Sequence, residues 1–221
     1  MKPIRASLLA AVLACSLPAA AAPVLSMLPG SAAPQPLAPQ PAAVATGSAA
    51  ALLADGRYGH SAAALPDGRV LIAGGNDGSE ILASAEIYDP LTGTFAATGP
   101  MVNRRMYDDA GTVVLADGRV LVTGGCVNLG GSWGGYAVCQ GVPHSEIYDP
   151  TLGRFAPTAD LAGPRNLHNA VRLADGRVLV VGGTDSNPEA PQWVLAAERY
   201  DPVTGRFETT GSLATGRSYA A

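Results

Sequence analysis

Two cysteines and a histidine lie close together in the middle of the chain, and their types and spacing limit the chemistry available there. Cys126 is the first and Cys139 the last residue of the segment "CVNLGGSWGGYAVC", and His144 follows shortly after. A structural zinc site needs four ligands and only His144 adds to the two thiols, so a disulfide bridge is the favoured prediction. Trp133 and Tyr136 lie between the cysteines among glycines. Their rings are predicted to bind a ligand, with packing on a neighbouring element as the alternative.

Outside this segment the sequence holds no motif of a known catalytic centre. Nucleophile elbows, phosphate-binding loops and spaced metal ligands are all missing from the 221 residues. Fourteen Lys and Arg against 18 Asp and Glu give a net charge of −4, without the basic stripe typical of nucleic-acid binding. The sequence therefore favours a non-catalytic protein with no cofactor, no metal and no nucleic-acid partner.

The first 45 residues are predicted to lie outside the folded domain. Residues 1–22 combine a basic start, a short apolar run and an Ala-rich end, which is the layout of a secretory signal peptide and too short for a membrane span. Cleavage after Ala21 is favoured, which predicts export to the periplasm or the exterior. Cleavage before Cys15, giving an outer-membrane lipoprotein with a lipid anchor, is the alternative. Residues 23–45, rich in Pro and Ala, predict an extended linker.

From residue 46 onward the chain is built from an internal repeat. The segment "DGRVLIAGG" at 67 returns as "DGRVLVTGG" at 117 and "DGRVLVVGG" at 175, and "AEIYDPLTGTF" at 85 returns as "SEIYDPTLGRF" and "AERYDPVTGRF". The threonines at 46, 98, 158 and 210 mark steps of 52, 60 and 52 residues. A period of this length indicates units that stack on one another.

Each unit divides into four short predicted strands, so the predicted fold class is all-β. The stretch "HSAAAL" turns through "PDG" into the apolar run "RVLIAGG", and "AEIYD" turns through "DPLTG" into "TFAATG". One such sheet cannot bury both faces alone, so the copies are predicted to pack as blades around an axis. The recurring Asp residues are predicted to accept backbone bonds in the turns. The recurring Glu86, Glu146 and Glu198 are predicted to bond neighbouring blades.

These motifs resemble those of kelch-repeat proteins. The marks are a Gly-Gly doublet ending the second strand, as in Gly74-Gly75, and a Tyr with an aromatic after six intervening residues, as in Tyr88 and Phe95. The resemblance covers residues 46–221 and implies a kelch-type β-propeller with about three four-stranded blades, at about 46–109, 110–167 and 168–221. More narrowly, the chain resembles exported bacterial kelch proteins and the propeller of galactose-oxidase-like proteins.

The resemblance also implies a binding rim at the central channel, because kelch proteins often bind partners there through arginines. Structural bonds between blades are the alternative for each rim residue. The predicted function is binding or adhesion to a protein or glycan. A galactose-oxidase-like or sialic-acid-mutarotase-like enzyme is the alternative, although no copper-site constellation can be aligned. The predicted ligand-binding residues are Arg57, His60, Arg105, Asp108, Arg165 and His168 at the rim, with Trp133, Tyr136 and His144 on the loop.

Three blades are fewer than the five to seven with which kelch propellers usually close. The chain is therefore expected to be a fragment of a longer product. Two alternatives are a ring completed by several chains and an open arc whose exposed blade edges favour self-association.

Overall fold

The computed structural model describes residues 52–106, 111–133, 136–187 and 190–218, and the side chains of residues 128–138 lie outside that description. Within these ranges there are 14 strands and no α-helix, so the all-β prediction is confirmed. Twelve strands form three antiparallel four-stranded sheets, and the other two form a hairpin. The predicted signal peptide and linker, at 1–22 and 23–45, lie outside the described residues.

The strands of each sheet lie side by side in chain order, as predicted for a propeller blade. Sheet 1 is formed by β1 (Ser61–Ala64), β2 (Val70–Ala73), β3 (Ala85–Asp89) and β4 (Thr94–Thr98). Sheet 2 is formed by β5 (Thr112–Val114), β6 (Val120–Thr123), β9 (Ser145–Asp149) and β10 (Arg154–Pro157), and its middle connection contains the hairpin of β7 (Cys126–Trp133) and β8 (Tyr136–Gly141). Sheet 3 is formed by β11 (Asn169–Arg172), β12 (Val178–Val181), β13 (Ala196–Asp201) and β14 (Arg206–Ser212).

Aspartates close the turns of each sheet. In the inner turn of sheet 1, Asp67 accepts hydrogen bonds from the guanidinium of Arg69 at 2.8 Å and from its backbone N–H at 3.0 Å. These bonds hold the pKa of the Asp67 carboxyl below its usual range. The equivalent backbone bonds confirm the predicted role of the other aspartates, which are Asp89, Asp117, Asp149, Asp175 and Asp201.

Sheet 2 buries apolar side chains on both of its faces, because alternate residues of a strand point to opposite sides. Val120 and Val122 of β6 face sheet 1, while Leu121 between them faces sheet 3. The partners from sheet 1 include Ala63, Leu71, Ala73 and Ile87, and those from sheet 3 include Val178, Val180 and Tyr200. The predicted packing of the sheets against one another is confirmed.

The tyrosine and phenylalanine of each outer hairpin lie side by side. Their ring centroids are 4.9 Å apart for Tyr88 and Phe95, and 4.8 Å apart in the other two sheets. Tyr148 and Tyr200, which are covered by the preceding sheet, are buried, whereas Tyr88 is partly exposed. The rings therefore fill space between neighbouring blades.

The three alanines of β1 differ in exposure. Ala63 is buried, while Ala62 and Ala64 are exposed. Ala63 faces sheet 2. The other two alanines point to the opposite face of sheet 1, which no other described sheet covers.

Candidate functional site: the loop face and the blade seams

The two ends of the sheets present different structures. One end carries the short turns described above. The other end, which we call the loop face, carries the longer connections between the second and third strands, at residues 74–84, 124–144 and 182–195. The connections that enter sheets 2 and 3 lie at this same end. A sheet of four antiparallel strands in chain order begins and ends at one end, so the chain leaves each sheet at the loop face.

A buried arginine joins sheet 1 to sheet 2 below the loop face. The backbone carbonyl of Arg105 accepts a hydrogen bond from the N–H of Gly75 in sheet 1 at 2.9 Å. Its guanidinium donates to the carbonyls of Gly124 and His144, at 3.0 and 2.9 Å, and to the carboxylate of Glu146 at 2.6 Å, all in sheet 2. The side chains of Arg105 and Glu146 are fully buried, so this residue forms a seam between two blades.

The same seam recurs between sheets 2 and 3. The carbonyl of Arg165 accepts a hydrogen bond from Gly125 at 3.0 Å, and its guanidinium donates to Glu198 at 3.0 Å. Burial lowers the pKa of Arg165, and the carboxylate of Glu198 opposes that shift. Arg57 makes the equivalent side-chain bonds to sheet 1. All three predicted rim arginines thus have side chains that are 0–1% exposed; Arg105 and Arg165 lie in seams between two blades, and Arg57 bonds to sheet 1.

The recurring glutamates have the predicted role in bonding one blade to the next. Glu146 accepts, besides the arginine, the backbone N–H groups of Val102 and Asn103 at 2.7 and 3.0 Å. Glu198 accepts the N–H of Ala162 at 2.8 Å in the same way. Both carboxylates are therefore hydrogen-bonded by the chain that leaves the preceding blade.

The glycine doublets make room for these seams. Gly124 and Gly125 have φ angles of +67° and +84°, in the left-handed region that favours glycine. A Cβ atom at Gly124 would meet the carbonyl oxygen of Arg165 and the ring of His168. The doublet is thus required by the close approach of the next connection.

His168 is buried where sheets 2 and 3 meet. Its ring lies against Gly111 and Gly124, and neither ring nitrogen has a hydrogen-bond partner in the described part of the chain. Burial, together with the positive charge of nearby Arg165, lowers the pKa of His168 from 6.5 to about 3. The imidazole is therefore neutral at neutral pH and packs between two blades.

We expect this histidine to make the protein less stable in acid. Because the pKa of His168 is about 3 in the folded state and 6.5 as its ordinary value, the unfolded chain takes up a proton that the folded chain excludes. The free energy of unfolding is therefore expected to fall by about 1.4 kcal/mol per pH unit as the pH falls from 6.5 toward 3. Above pH 6.5 this contribution of His168 does not change with pH. Urea titrations of His168→Leu should show a flatter pH profile. His144→Gln, which removes a half-exposed histidine, should keep the slope of unfolding free energy against pH seen for the unchanged chain. Equal slopes for the unchanged chain and both variants would contradict the role given to His168.

The remaining predicted polar residues lie in separate places. His144 is about half exposed on the loop face, with its Nδ1 atom 3.1 Å from an oxygen of Asp160. His60 is partly buried before β1, and its Nδ1 atom has no partner within the residues that the structure describes. Asp108 lies outside the described residues.

The predicted loop of sheet 2 is a β-hairpin closed by the predicted disulfide. Cys126 and Cys139 are bridged, with Cα atoms 5.7 Å apart. Cys126 is fully buried with Ile81 and Met106, so the base of the hairpin packs on the loop of sheet 1. Trp133 and Tyr136 are paired in register beside the turn, and their side chains lie outside the described residues.

The hairpin is also bonded to the loop of sheet 3. The backbone N–H of Gly141 donates to the carbonyl of Asp185 at 3.1 Å. The side-chain amide of Asn166 lies 3.7 Å from the sulfur of Cys139. These contacts tie the loops of three blades into one surface.

Four large apolar side chains are exposed on the loop face. Tyr58 is 49%, Val102 59%, Trp193 56% and Leu195 42% exposed. Trp193 packs one side on Gly216 and leaves the rest to solvent. Sequence reasoning missed these residues because each lies outside the repeated motifs. The non-repeating stretch "SNPEAPQWVL" was the available signal, since a tryptophan among polar residues of a variable loop is typical of a binding surface.

In the described part of the chain, His, Cys, Asp and Glu side chains form no group of three or more arranged to hold a metal ion. No helix found there has the length and apolar character needed to cross a bilayer.

Comparisons with known proteins agree with the architecture. The family model described as the Kelch motif matches residues 56–101. Kelch-like protein 35 of Mus musculus is 27% identical over 191 residues, covering 72% of this chain and 32% of that protein. The solved structure of YjhT superposes with a TM-score of 0.57 at 15% identity, covering 73% of this chain and 54% of that one. The chain thus spans about a third of the mouse protein and about half of the YjhT structure.

The four-stranded sheets, joined in chain order through buried seams, define a protein of the β-propeller class. Within that class, the glycine doublets, the aromatic pairs and the match of residues 56–101 to the Kelch motif support kelch repeats, and the three sheets form part of a propeller. The resemblance stated from the sequence is confirmed. Propellers with kelch repeats commonly bind proteins.

Proposed function

We propose that this chain is an exported, non-catalytic binding module that recognises a protein partner with its loop face. The observation that carries the proposal is the disulfide-closed hairpin β7–β8. It is the longest insertion in any repeat, and it is fixed at its base to the loops of both neighbouring blades. A fixed insertion gives up little conformational entropy on binding, which favours affinity.

The exposed side chains of the loop face support a protein partner. Tyr58, Val102, Trp193 and Leu195 add aromatic and aliphatic area around the hairpin. Aromatic residues are enriched at the centres of protein–protein interfaces. The exposed pair of Arg104 and Glu80, at 2.8 Å, supplies charged groups of the kind found at interface rims.

The burial of the rim arginines supports the loops rather than the channel entrance as the binding surface. The guanidinium groups of Arg57, Arg105 and Arg165 already donate to carbonyls and glutamates of the next sheet. A ligand that recruited them would have to open a blade seam. The loop residues need no such rearrangement.

Replacing the two aromatic residues beside the hairpin turn tests the proposal. The double variant Trp133→Ala with Tyr136→Ala is expected to reduce capture of a specific exported or surface protein by about 30-fold or more, the scale of a hot-spot loss. Capture by the immobilised full chain is measured by quantitative mass spectrometry after cross-linking. The melting temperature should be unchanged, because Trp133 and Tyr136 pair at the end of the hairpin farthest from the disulfide.

The matched control changes two exposed leucines at the opposite end of the blades, Leu91→Ala with Leu152→Ala. This variant is expected to capture the same protein as the unchanged chain. Equal capture by both variants would contradict recognition through the loop face. Binding to a glycan array that depends on Trp133 and Tyr136, with no protein captured, would instead assign the face to a carbohydrate partner.

A further inference from the structure

The charges of the described residues are distributed unevenly between the two ends of the sheets. The chain has 18 acidic residues and 14 basic ones. Three acidic residues and two basic ones lie outside the description, namely Asp108, Asp109, Glu189, Lys2 and Arg5. The described residues therefore include 15 carboxylates and 12 guanidinium groups, a net charge of −3.

The end that carries the short turns, which we call the turn end, is neutral. Each inner turn holds an aspartate paired with an arginine two residues later, at 2.6 or 2.7 Å. Three more aspartates close the outer turns, and three more arginines lie at strand ends beside the turns. These residues are Asp89, Asp149 and Asp201, with Arg154, Arg172 and Arg206.

Four further ion pairs also contribute no net charge. Three of them join the buried arginines to the recurring glutamates. The fourth joins Arg199 and Glu208 across β13 and β14 at 3.2 Å. The excess of negative charge among the described residues therefore lies at the loop face.

The connections of the loop face carry five carboxylates and two exposed arginines. The carboxylates belong to Asp55, Asp77, Glu80, Asp160 and Asp185, and the arginines are Arg104 and Arg217. Four of the five acidic residues are exposed, and Asp185 is partly exposed. Arg104 is already paired with Glu80 at 2.8 Å. A partner therefore meets a surface with more negative than positive groups.

Two of these carboxylates lie next to the exposed aromatic residues. Tyr58 and Asn76 exchange backbone hydrogen bonds at 3.0 and 2.9 Å, and Asp77 follows Asn76 directly. Trp193 is paired with Thr184 in the same way, and Asp185 follows Thr184. Tyr58 is 49% and Trp193 56% exposed. A segment that covers either ring therefore approaches a carboxylate as well.

Backbone donors hold these two carboxylates in place. Asp77 accepts hydrogen bonds from the N–H groups of Ser79 and Glu80, at 2.7 and 2.8 Å, and from the Ser79 hydroxyl at 2.7 Å. These bonds lower the pKa of Asp77 to about 2, so its charge is present at neutral pH. Asp185 accepts the N–H of Gln192, the residue before Trp193, at 2.8 Å. Both negative charges are therefore fixed beside the rings.

We infer that the partner of the loop face presents a basic segment, with several arginines or lysines, to the two sites formed by Tyr58 with Asp77 and by Trp193 with Asp185. This inference names the chemistry of the partner and rests on the binding function proposed above. Complementary charge steers such a segment to the surface, and its cations gain further attraction from aromatic rings. Nucleic acids and anionic membranes would be repelled by the same carboxylates. The turn end of a second copy is neutral and offers no complementary charge.

Neutralising the two carboxylates beside the rings tests the inference. The probe is a fluorescently labelled hexa-arginine peptide, and its binding to the full chain is measured by anisotropy at low salt. The double variant Asp77→Asn with Asp185→Asn is expected to weaken binding about tenfold, the scale of two exposed charge pairs. Asparagine keeps an oxygen that can accept the backbone bonds, so the fold should be retained.

The matched control removes two charges from the turn end of the same sheets. Asp89 and Asp201 also accept backbone N–H groups two residues later, both at 2.8 Å. Asp89→Asn with Asp201→Asn should therefore leave hexa-arginine binding within about twofold of the unchanged chain. An equal loss in both double variants would show that only the net charge of the chain matters, and would overturn the inference.

The unchanged chain gives a second readout that needs no variant. Raising the salt concentration from 0.05 to 0.5 M should weaken hexa-arginine binding at least tenfold, because salt screens exposed charges. A hexa-glutamate peptide should not bind. Hexa-glutamate binding as tight as that of hexa-arginine, or hexa-arginine binding that salt does not change, would contradict a basic partner.

The capture experiment with Trp133 and Tyr136 separates this inference from the proposed function. A protein captured through those two residues should be retained about tenfold less by the variant of Asp77 and Asp185. If the captured protein depends on Trp133 and Tyr136 but is retained equally by the unchanged chain and by the variant of Asp77 and Asp185, the loop face binds a partner of other chemistry. That result would overturn the basic partner and leave the proposed function standing.

Discussion

Replacing Arg105 by alanine is expected to lower the free energy of unfolding by about 3–5 kcal/mol, because it leaves a buried carboxylate without its cation. Glu146 is fully buried and would retain only two backbone N–H groups and a side-chain amide as donors. The carbonyls of Gly124 and His144 lose their guanidinium donor at the same time. The midpoint of thermal unfolding should fall by roughly 10–15 °C.

The neighbouring arginine provides the matched control. Arg104 pairs with Glu80 at 2.8 Å, but both side chains are about 60% exposed. Arg104→Ala is therefore expected to cost about 1 kcal/mol or less. The double variant of Arg105→Ala with Glu146→Gln should be more stable than Arg105→Ala alone, since the uncompensated charge is gone. Similar urea midpoints for Arg104→Ala and Arg105→Ala would show that the seam does not hold the blades together.

Replacing both cysteines of the bridge by serine is expected to cost about 3 kcal/mol, the loop-closure entropy of a bridge across some 15 residues. Cys126 and Cys139 are 13 positions apart. Cys126 is fully buried against Ile81 and Met106, so loosening the hairpin base also exposes apolar surface of sheet 1. A fall in melting temperature of roughly 6–12 °C should follow.

Reduction of the unchanged chain serves as the control for this prediction. Dithiothreitol should lower the melting temperature of the natural sequence and leave that of the serine variant unaltered. If the reductant has no effect on the natural sequence, the bridge is not formed in solution. If dithiothreitol lowers the melting temperatures of both proteins equally, it does not act through the bridge between Cys126 and Cys139.

Much of the fold was predictable because every blade repeats the same local rules. Aspartate, proline and glycine at fixed offsets determine the turns, and continuous apolar runs indicate strands covered on both faces. The tyrosine and phenylalanine of each hairpin are close enough in the chain for their contact to be predicted. The disulfide was predictable as well, since a zinc site needs four ligands and only His144 adds to the two cysteines.

The interpretation of individual polar residues was less predictable. Arg57, Arg105 and Arg165 precede apolar strands in a repeated pattern, which is compatible with a binding rim and with a structural seam. Burial favours the structural seam, because each guanidinium is enclosed and already donates to carbonyls and a glutamate. His168 could not be assigned for the same reason: its neighbours, Gly111 and Gly124, come from another blade.

The sequence by itself determined the number of described sheets, their strand order, the turn chemistry and the bridge, because these depend on residues near one another in the chain or on exact repetition. The tertiary structure decided which side chains are exposed. Arg105 and Arg217 occupy the same position of the repeat, yet one is enclosed and the other faces solvent. The difference is that a neighbouring sheet covers Arg105. Contacts between units about fifty residues apart depend on how the sheets pack, which the local sequence pattern does not specify.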